Sequence, residues 1–278
     1  MKHKLSALLL LMAAVCLLSG CKRNKHEPVD LTSIHTSKAA AETMASSIAK
    51  QEETTTASEE TTTKAPSANA AQIASEIQSY HPGDQENITI SYPIISNMKD
   101  SGNEEEVNKL LKENASAFYH SLGEDNIPDS MNIKCSVESL DRNRITAVYK
   151  GVYTPKGGSY PINVFYTNTV DLQQVKSLGI NDYSDAYTMA GYLMSEDVEF
   201  YQVSEGLKNS LLAHRAAQTI EDYTNLLNEA DFPLKTSDSG KEFPGSFSYL
   251  NQSTLYFSIP VPHELGDYAI VTIPIDGK

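Results

Sequence analysis

The sequence predicts an α+β fold, an antiparallel sheet of about six strands packed by two to three helices. Three observations predict it. Runs at 87–94, 131–140, 145–153 and 162–170 alternate apolar and polar side chains with the period of a half-buried strand. Three short runs of the same kind, 246–250, 254–259 and 268–275, close the chain. Between the two sets lie stretches with apolar residues at helical spacing, and the order β-α-β-β-β-α-α-β-β-β makes an antiparallel meander the economical arrangement.

Taken in order, the chain opens with Lys2, His3 and Lys4, then a mostly apolar run from Leu5 to Leu18 that closes on Ser19-Gly20-Cys21. The run is shorter than the roughly 20 residues a spanning helix needs, and small residues before a cysteine suit cleavage ahead of a lipidated thiol. The motif resembles that of bacterial lipoproteins. It implies a signal peptide over 1–20, acyl chains on Cys21, and a protein held on the outer face of the cell membrane without crossing it.

Residues 21–80 are rich in Thr, Ser, Ala and Glu, with Thr54–Thr56 and Thr61–Thr63 as the low-complexity core. So few large apolar residues cannot offset the entropy of ordering the backbone, so the segment reads as a disordered tether with a root-mean-square reach of about 40–45 Å. The folded domain is expected over 81–278. Of the three cysteines, Cys16 goes with the signal and Cys21 is acylated. Cys135, in the alternating run with Ile133 and Val137, reads as a small core residue without a disulfide partner.

Within the domain, Ile88, Ile90, Tyr92 and Ile94 alternate as a first strand. A helix follows, with Asn103 as N-cap and Glu104–Glu106 in the first turn where the helix dipole favours acid. Val107, Leu110, Leu111, Phe118 and Leu122 share one face, and Gly123 stops it. After a strand over 131–140 and a turn at 141–143 comes a long hairpin. Ile145, Ala147 and Tyr149 line one side of its first arm, and Ile162, Val164, Tyr166 and Val170 one side of its second. Its tip contains Gly157-Gly158-Ser159-Tyr160-Pro161; the glycines supply positive φ, and Pro161, lacking an N–H, belongs before pairing resumes. Helical spacing returns at 181–194 and 207–227, the latter ended by Pro233.

The charge is uneven. Residues 1–79 hold eight Lys/Arg and eight Asp/Glu, so of the chain's 22 basic and 36 acidic residues 14 and 28 fall beyond them, and the whole net charge of −14 lies in the domain. Such a field repels nucleic acid and attracts cationic partners. No H-E-x-x-H, C-x-x-C, Walker loop or G-x-G-x-x-G occurs. The histidines are scattered singly, so no catalytic residue, metal ligand or cofactor site is assigned. Fifteen tyrosines and no tryptophan suit contact surfaces, since the side chain offers broad amphipathic area at little entropy. The loop Pro260 to Tyr268, with Pro262, His263, Glu264 and Asp267, is the polar segment with the best functional claim.

Two stretches carry a family likeness. Residues 153–183, YTPKGGSYPINVFYTNTVDLQQVKSLGINDY, and 256–275, YFSIPVPHELGDYAIVTIPI, resemble RsiV-like extracytoplasmic domains, the lysozyme-sensing part of certain anti-sigma factors and the N-terminal region of some peptidoglycan deacetylases. Ser159-Tyr160 stand where that family has Ala-His. The resemblance implies an α+β domain that binds a protein, and lysozyme or another cationic cell-wall-associated protein or wall component becomes the expected partner. Gly157, Gly158, Ser159, Tyr160, Pro161, Pro262, His263, Glu264, Asp267 and Tyr268 are its candidate contacts. An enzyme acting on peptidoglycan fragments and an accessory surface lipoprotein are the alternatives.

Overall fold

The computed structural model describes residues 72–83, 85–237 and 240–275. The expected signal peptide, the Cys21 lipidation site and most of the expected tether lie outside the described residues. The first described strand, β1 (Ala74–Tyr80), occupies the end of the stretch read as tether. It is an edge strand paired antiparallel with β2 (Ile88–Ser96). Most of its side chains are exposed. Backbone hydrogen bonds to β2, which any composition can make, hold it in place, and apolar patterning therefore gives no sign of it.

Helix α1 (Ser101–Ser121) begins at Asp100, whose carboxylate accepts from the N–H groups of Gly102 and Asn103 at 2.9 and 3.1 Å. The expected cap, Asn103, lies inside the helix instead and donates to the carbonyls of Leu172 and Gln173. A carboxylate at the N-terminus satisfies the orphan donors and opposes the dipole at once, which favours the aspartate. Because α1 carries the chain from one end of the sheet to the other, β2 and β3 (Ser130–Leu140) pair in parallel. The meander then runs as expected through β4 (Arg144–Thr154), β5 (Ile162–Asp171) and the short β6 (Lys176–Leu178), giving the sheet order β1-β2-β3-β4-β5-β6.

The two later helical stretches are each divided by a local cap. One becomes α2 (Ile180–Tyr183) and α3 (Ala186–Met194), the latter started by Asp185, whose side chain accepts from the Thr188 N–H. The other becomes α4 (Glu205–Arg215) and α5 (Ile220–Asn228), the latter opened by a capping box between Thr219 and Asp222. Between these pairs lies the two-residue β7 (Glu199–Phe200). A small hairpin, β8 (Lys235–Ser237) with β9 (Gly240–Glu242), precedes the closing strands.

Those strands, β10 (Ser248–Asn251), β11 (Thr254–Pro260) and β12 (Tyr268–Pro274), form a second sheet with β7, in the order β10-β11-β12-β7. How the sheets stack is written in two consecutive residues of β5. The Tyr166 hydroxyl donates to the Ala115 carbonyl of α1 at 2.6 Å, whereas the Thr167 hydroxyl donates to the Ser248 carbonyl of β10 at 2.6 Å. Successive side chains on a strand point to opposite faces. The layers are therefore α1, the first sheet, the second sheet, and the α3–α5 helices, whose apolar faces meet Leu255, Phe257, Ile259 and Val271.

Cys135 is half-buried and directly opposite Tyr149. Burial pushes its thiol up to about 12. Of all the described helices, none is long and apolar enough to cross a membrane.

Candidate functional site

The hairpin tip is a tight turn in which the Gly158 N–H donates to the Pro155 carbonyl at 2.8 Å. Gly157 occupies the position that needs positive φ, at +67°. The turn is pinned from below, since Asp129 accepts from the Gly157 N–H at 2.9 Å and Lys156 Nζ donates to the Asp125 carbonyl at 3.1 Å. Pairing resumes at Ile162, one residue after Pro161. That arrangement leaves Ser159, Tyr160 and Pro161 outside the ladder, with Tyr160 55% exposed.

The second loop folds differently. Pro262 leads into a single turn over His263–Leu265, which ends on Gly266 at φ +105°, and Asp267 follows at φ +70°. A non-glycine residue in the left-handed region is costly and persists where its surroundings over-determine it. Here the surroundings are three contacts to one carboxyl group and one to the neighbouring Gly266 carbonyl. Asp267 Oδ1 pairs with His263 Nδ1 at 2.8 Å. Oδ2 accepts the Asn163 backbone N–H at 2.8 Å and its side-chain amide at 3.0 Å. The same Asn163 amide also donates to the Gly266 carbonyl at 3.4 Å. The loop is thereby clamped to the start of β5.

The clamp brings the two predicted segments together. The Tyr160 and His263 rings stack with centroids 4.6 Å apart and planes 24° from parallel. Beside them, Tyr268 stacks on Phe165 at 5.1 Å, and burial raises the Tyr268 phenol above its ordinary range. Burial, with the Asp267 charge second, does the same for Tyr153. Nδ1 of His263 is committed to Asp267, which leaves Nε2 as the ring's outward group, on a side chain 47% exposed. Glu264 lies exposed on the rim.

The result is a surface at one end of the two sheets that presents two stacked rings, an imidazole nitrogen, a phenol and a carboxylate. Of the sequence-predicted residues, Tyr160, His263 and Asp267 meet there in direct contacts, and Tyr268 follows Asp267 and stacks on Phe165. Gly157, Gly158 and Pro262 shape the backbone, while Ser159, Pro161 and Glu264 are exposed beside it. Asn163, which completes the surface, and Phe165, buried beneath Tyr268, are absent from the set predicted from the sequence. Their only sign there is a polar and an aromatic residue in the outward phase of β5. That sign acquires meaning through a partner 104 residues away.

Among the described residues no three His, Cys, Asp or Glu side chains gather as metal ligands. A cleft of about 810 Å³ lies at the opposite end of β4, lined by Asn97, Met98, Leu140, Arg142, Asn143 and Gln173 among others. It contains none of the predicted site residues.

Comparison with known proteins gives no matching family model and no matching curated protein. Solved structures do align. One is a member of the DUF3298 family from Bacteroides fragilis NCTC 9343, at 15% identity and a TM-score of 0.40 over 74% of this chain and 92% of that one. Another is a DUF3298 family protein from Pseudomonas aeruginosa PAO1, at 12% identity and a TM-score of 0.35, with the same coverage.

Proposed function

We propose that this chain is a lipid-anchored extracytoplasmic binding protein of the RsiV-like kind, and that the Tyr160–His263 surface takes a cationic, cell-wall-associated protein such as lysozyme. The observation that carries the reading is the stacking of Tyr160 on His263, because it joins the two stretches on which the family likeness rests into one surface. Aromatic side chains held by packing lose little entropy on binding and are enriched at the energetic centres of interfaces. The 28-to-14 acidic excess beyond residue 79 supplies attraction at long range.

Calorimetry of the purified chain with lysozyme at low and high salt tests it. Binding should be tighter at low salt, and Tyr160→Ala should weaken it at least tenfold without altering the fold. No heat and no inhibition of lysis at either salt would overturn the partner assignment. Anchoring at Cys21 is tested separately, since Cys21→Ser should release the protein from the membrane fraction.

The His263–Asp267 pair supports a second reading, an enzyme acting on peptidoglycan fragments. An imidazole oriented by a carboxylate is the base half of an acid–base unit. Turnover of wall fragments that is lost in Glu264→Gln or Asp267→Asn, with the fold retained, would favour it over binding.

A further inference from the structure

Lys134 on β3 and Lys150 on β4 are directly opposed across the strand pair. Both are exposed. Directly opposed side chains on one face have Cβ atoms about 4.5–5.5 Å apart, and like charges so placed repel. Neither lysine has an ion-pair partner among the described residues. This is unexpected in a domain with two acidic side chains for every basic one, where carboxylates to neutralise the pair are plentiful. The row continues into aromatic ground, since Lys150 is opposed on its other side by Phe165, its Nζ lies 5.9 Å from the centre of that ring, and Phe165 stacks on Tyr268.

The neighbouring row on the same face pairs Asn132 with Val152. Val152 is 40% exposed, high for a valine on a strand, and Asn132 is exposed as well. Two residues along a strand is about 6.7 Å. This is the face that further along carries the second sheet, and its uncovered part offers two cations, then an apolar contact and an amide one step further on.

We propose that this face binds an extended peptide segment in which an acidic side chain is followed two residues later by an apolar one. The carboxylate sits between Lys134 and Lys150 and relieves their repulsion. The apolar side chain rests on Val152, and Asn132 hydrogen-bonds the peptide backbone. A sugar ring fits less well, because Phe165 and Tyr268 already turn faces toward each other. The site prefers the opposite charge from the Tyr160–His263 surface and does not depend on that surface's assignment, so either can fail alone.

The test labels the lysines of the full chain with ¹³C, assigns Lys134 and Lys150 through Lys134→Gln and Lys150→Gln, and titrates acetyl-Glu-Gly-Leu-amide. Both Cε resonances should move together along one saturable curve, and either variant should weaken binding at least threefold. Acetyl-Gln-Gly-Leu-amide should bind at least tenfold more weakly than the acidic peptide. No movement, movement without saturation, or an equal response to the Gln peptide would overturn the proposal. A midpoint with sodium acetate alone equal to that of the acidic peptide would overturn the peptide assignment. Without any ligand, Lys134→Glu should raise Tm at low salt and abolish peptide binding; an unchanged or lower Tm would remove the premise of an unsatisfied cation pair.

Discussion

Asp267 accepts the backbone N–H of Asn163 at 2.8 Å, and this bond ties the start of β5 to the loop before β12 across 104 residues. It is the contact on which the candidate surface depends. With the Asn163 amide and His263 on the same carboxylate, it also offsets the cost of the left-handed backbone at position 267.

Replacing Asp267 should therefore act through both backbone and side chain. Asp267→Ala loses the accepted hydrogen bonds and places an alanine at φ +70°, which should cost on the order of 2–3 kcal/mol in urea unfolding. Asp267→Asn tolerates the backbone conformation and keeps one acceptor, so its loss should be about half that.

Asp231 gives the stability a sign with pH. It is buried and accepts from the Ile180 N–H, the Ser248 N–H and the Ser248 hydroxyl, yet burial outweighs these bonds and raises its carboxyl from 3.8 to about 6. A raised folded-state value means that its contribution is fully present below 3.8 and is lost as pH rises through about 6. The loss between those limits is on the order of 3 kcal/mol. Chemical denaturation from pH 4 to 7 should show the decline, and Asp231→Asn should flatten it.

Gly151 has no room for a side chain. A Cβ there would lie 2.1 Å from the Asn132 carbonyl oxygen and 2.7 Å from the Ile133 Cα, both backbone atoms of the paired strand. Gly151→Ala should destabilise the domain by about 3 kcal/mol through loss of β3–β4 pairing, seen as a large fall in Tm.

The stacked pair Tyr149–Tyr166, with centroids 4.5 Å apart, should respond unequally to loss of a hydroxyl. Tyr166→Phe removes a 2.6 Å bond to a helix carbonyl and should cost about 1–1.5 kcal/mol. The Tyr149 hydroxyl has no nitrogen or oxygen partner and faces the weakly accepting Cys135 sulfur, so Tyr149→Phe should change stability by less than about 0.5 kcal/mol.

Cys135, with its thiol pushed up to about 12, should resist alkylation at pH 8 in the folded protein and react at the ordinary rate in denaturant. Fast native-state labelling would contradict its placement beside Tyr149.

The hairpin of β4 and β5 was legible because alternation and turn chemistry are local. Gly157 needs positive φ and Pro161 must precede the ladder, and both conditions can be read from neighbouring residues. The breaks at Ser184-Asp185 and Ala216–Thr219 were local as well, but apolar spacing continues across them and hides the caps. Strand β1 was invisible for the opposite reason: its strand state comes from pairing with β2 and leaves no apolar pattern. The second face of β5 was also hidden, since Thr167 and Thr169 are polar and are buried only because another sheet covers them.

By itself, then, the sequence determined the α+β class, the long hairpin and the two segments worth watching, because periodicity, turn residues and charge act over a few positions. Tertiary structure alone decided that the closing strands form a separate sheet and that Tyr160 meets His263. Those outcomes rest on contacts between residues distant in the chain, such as Thr167 with Ser248 and Tyr160 with His263. No local pattern encodes them, and packing and hydrogen bonding select them only once both sheets exist.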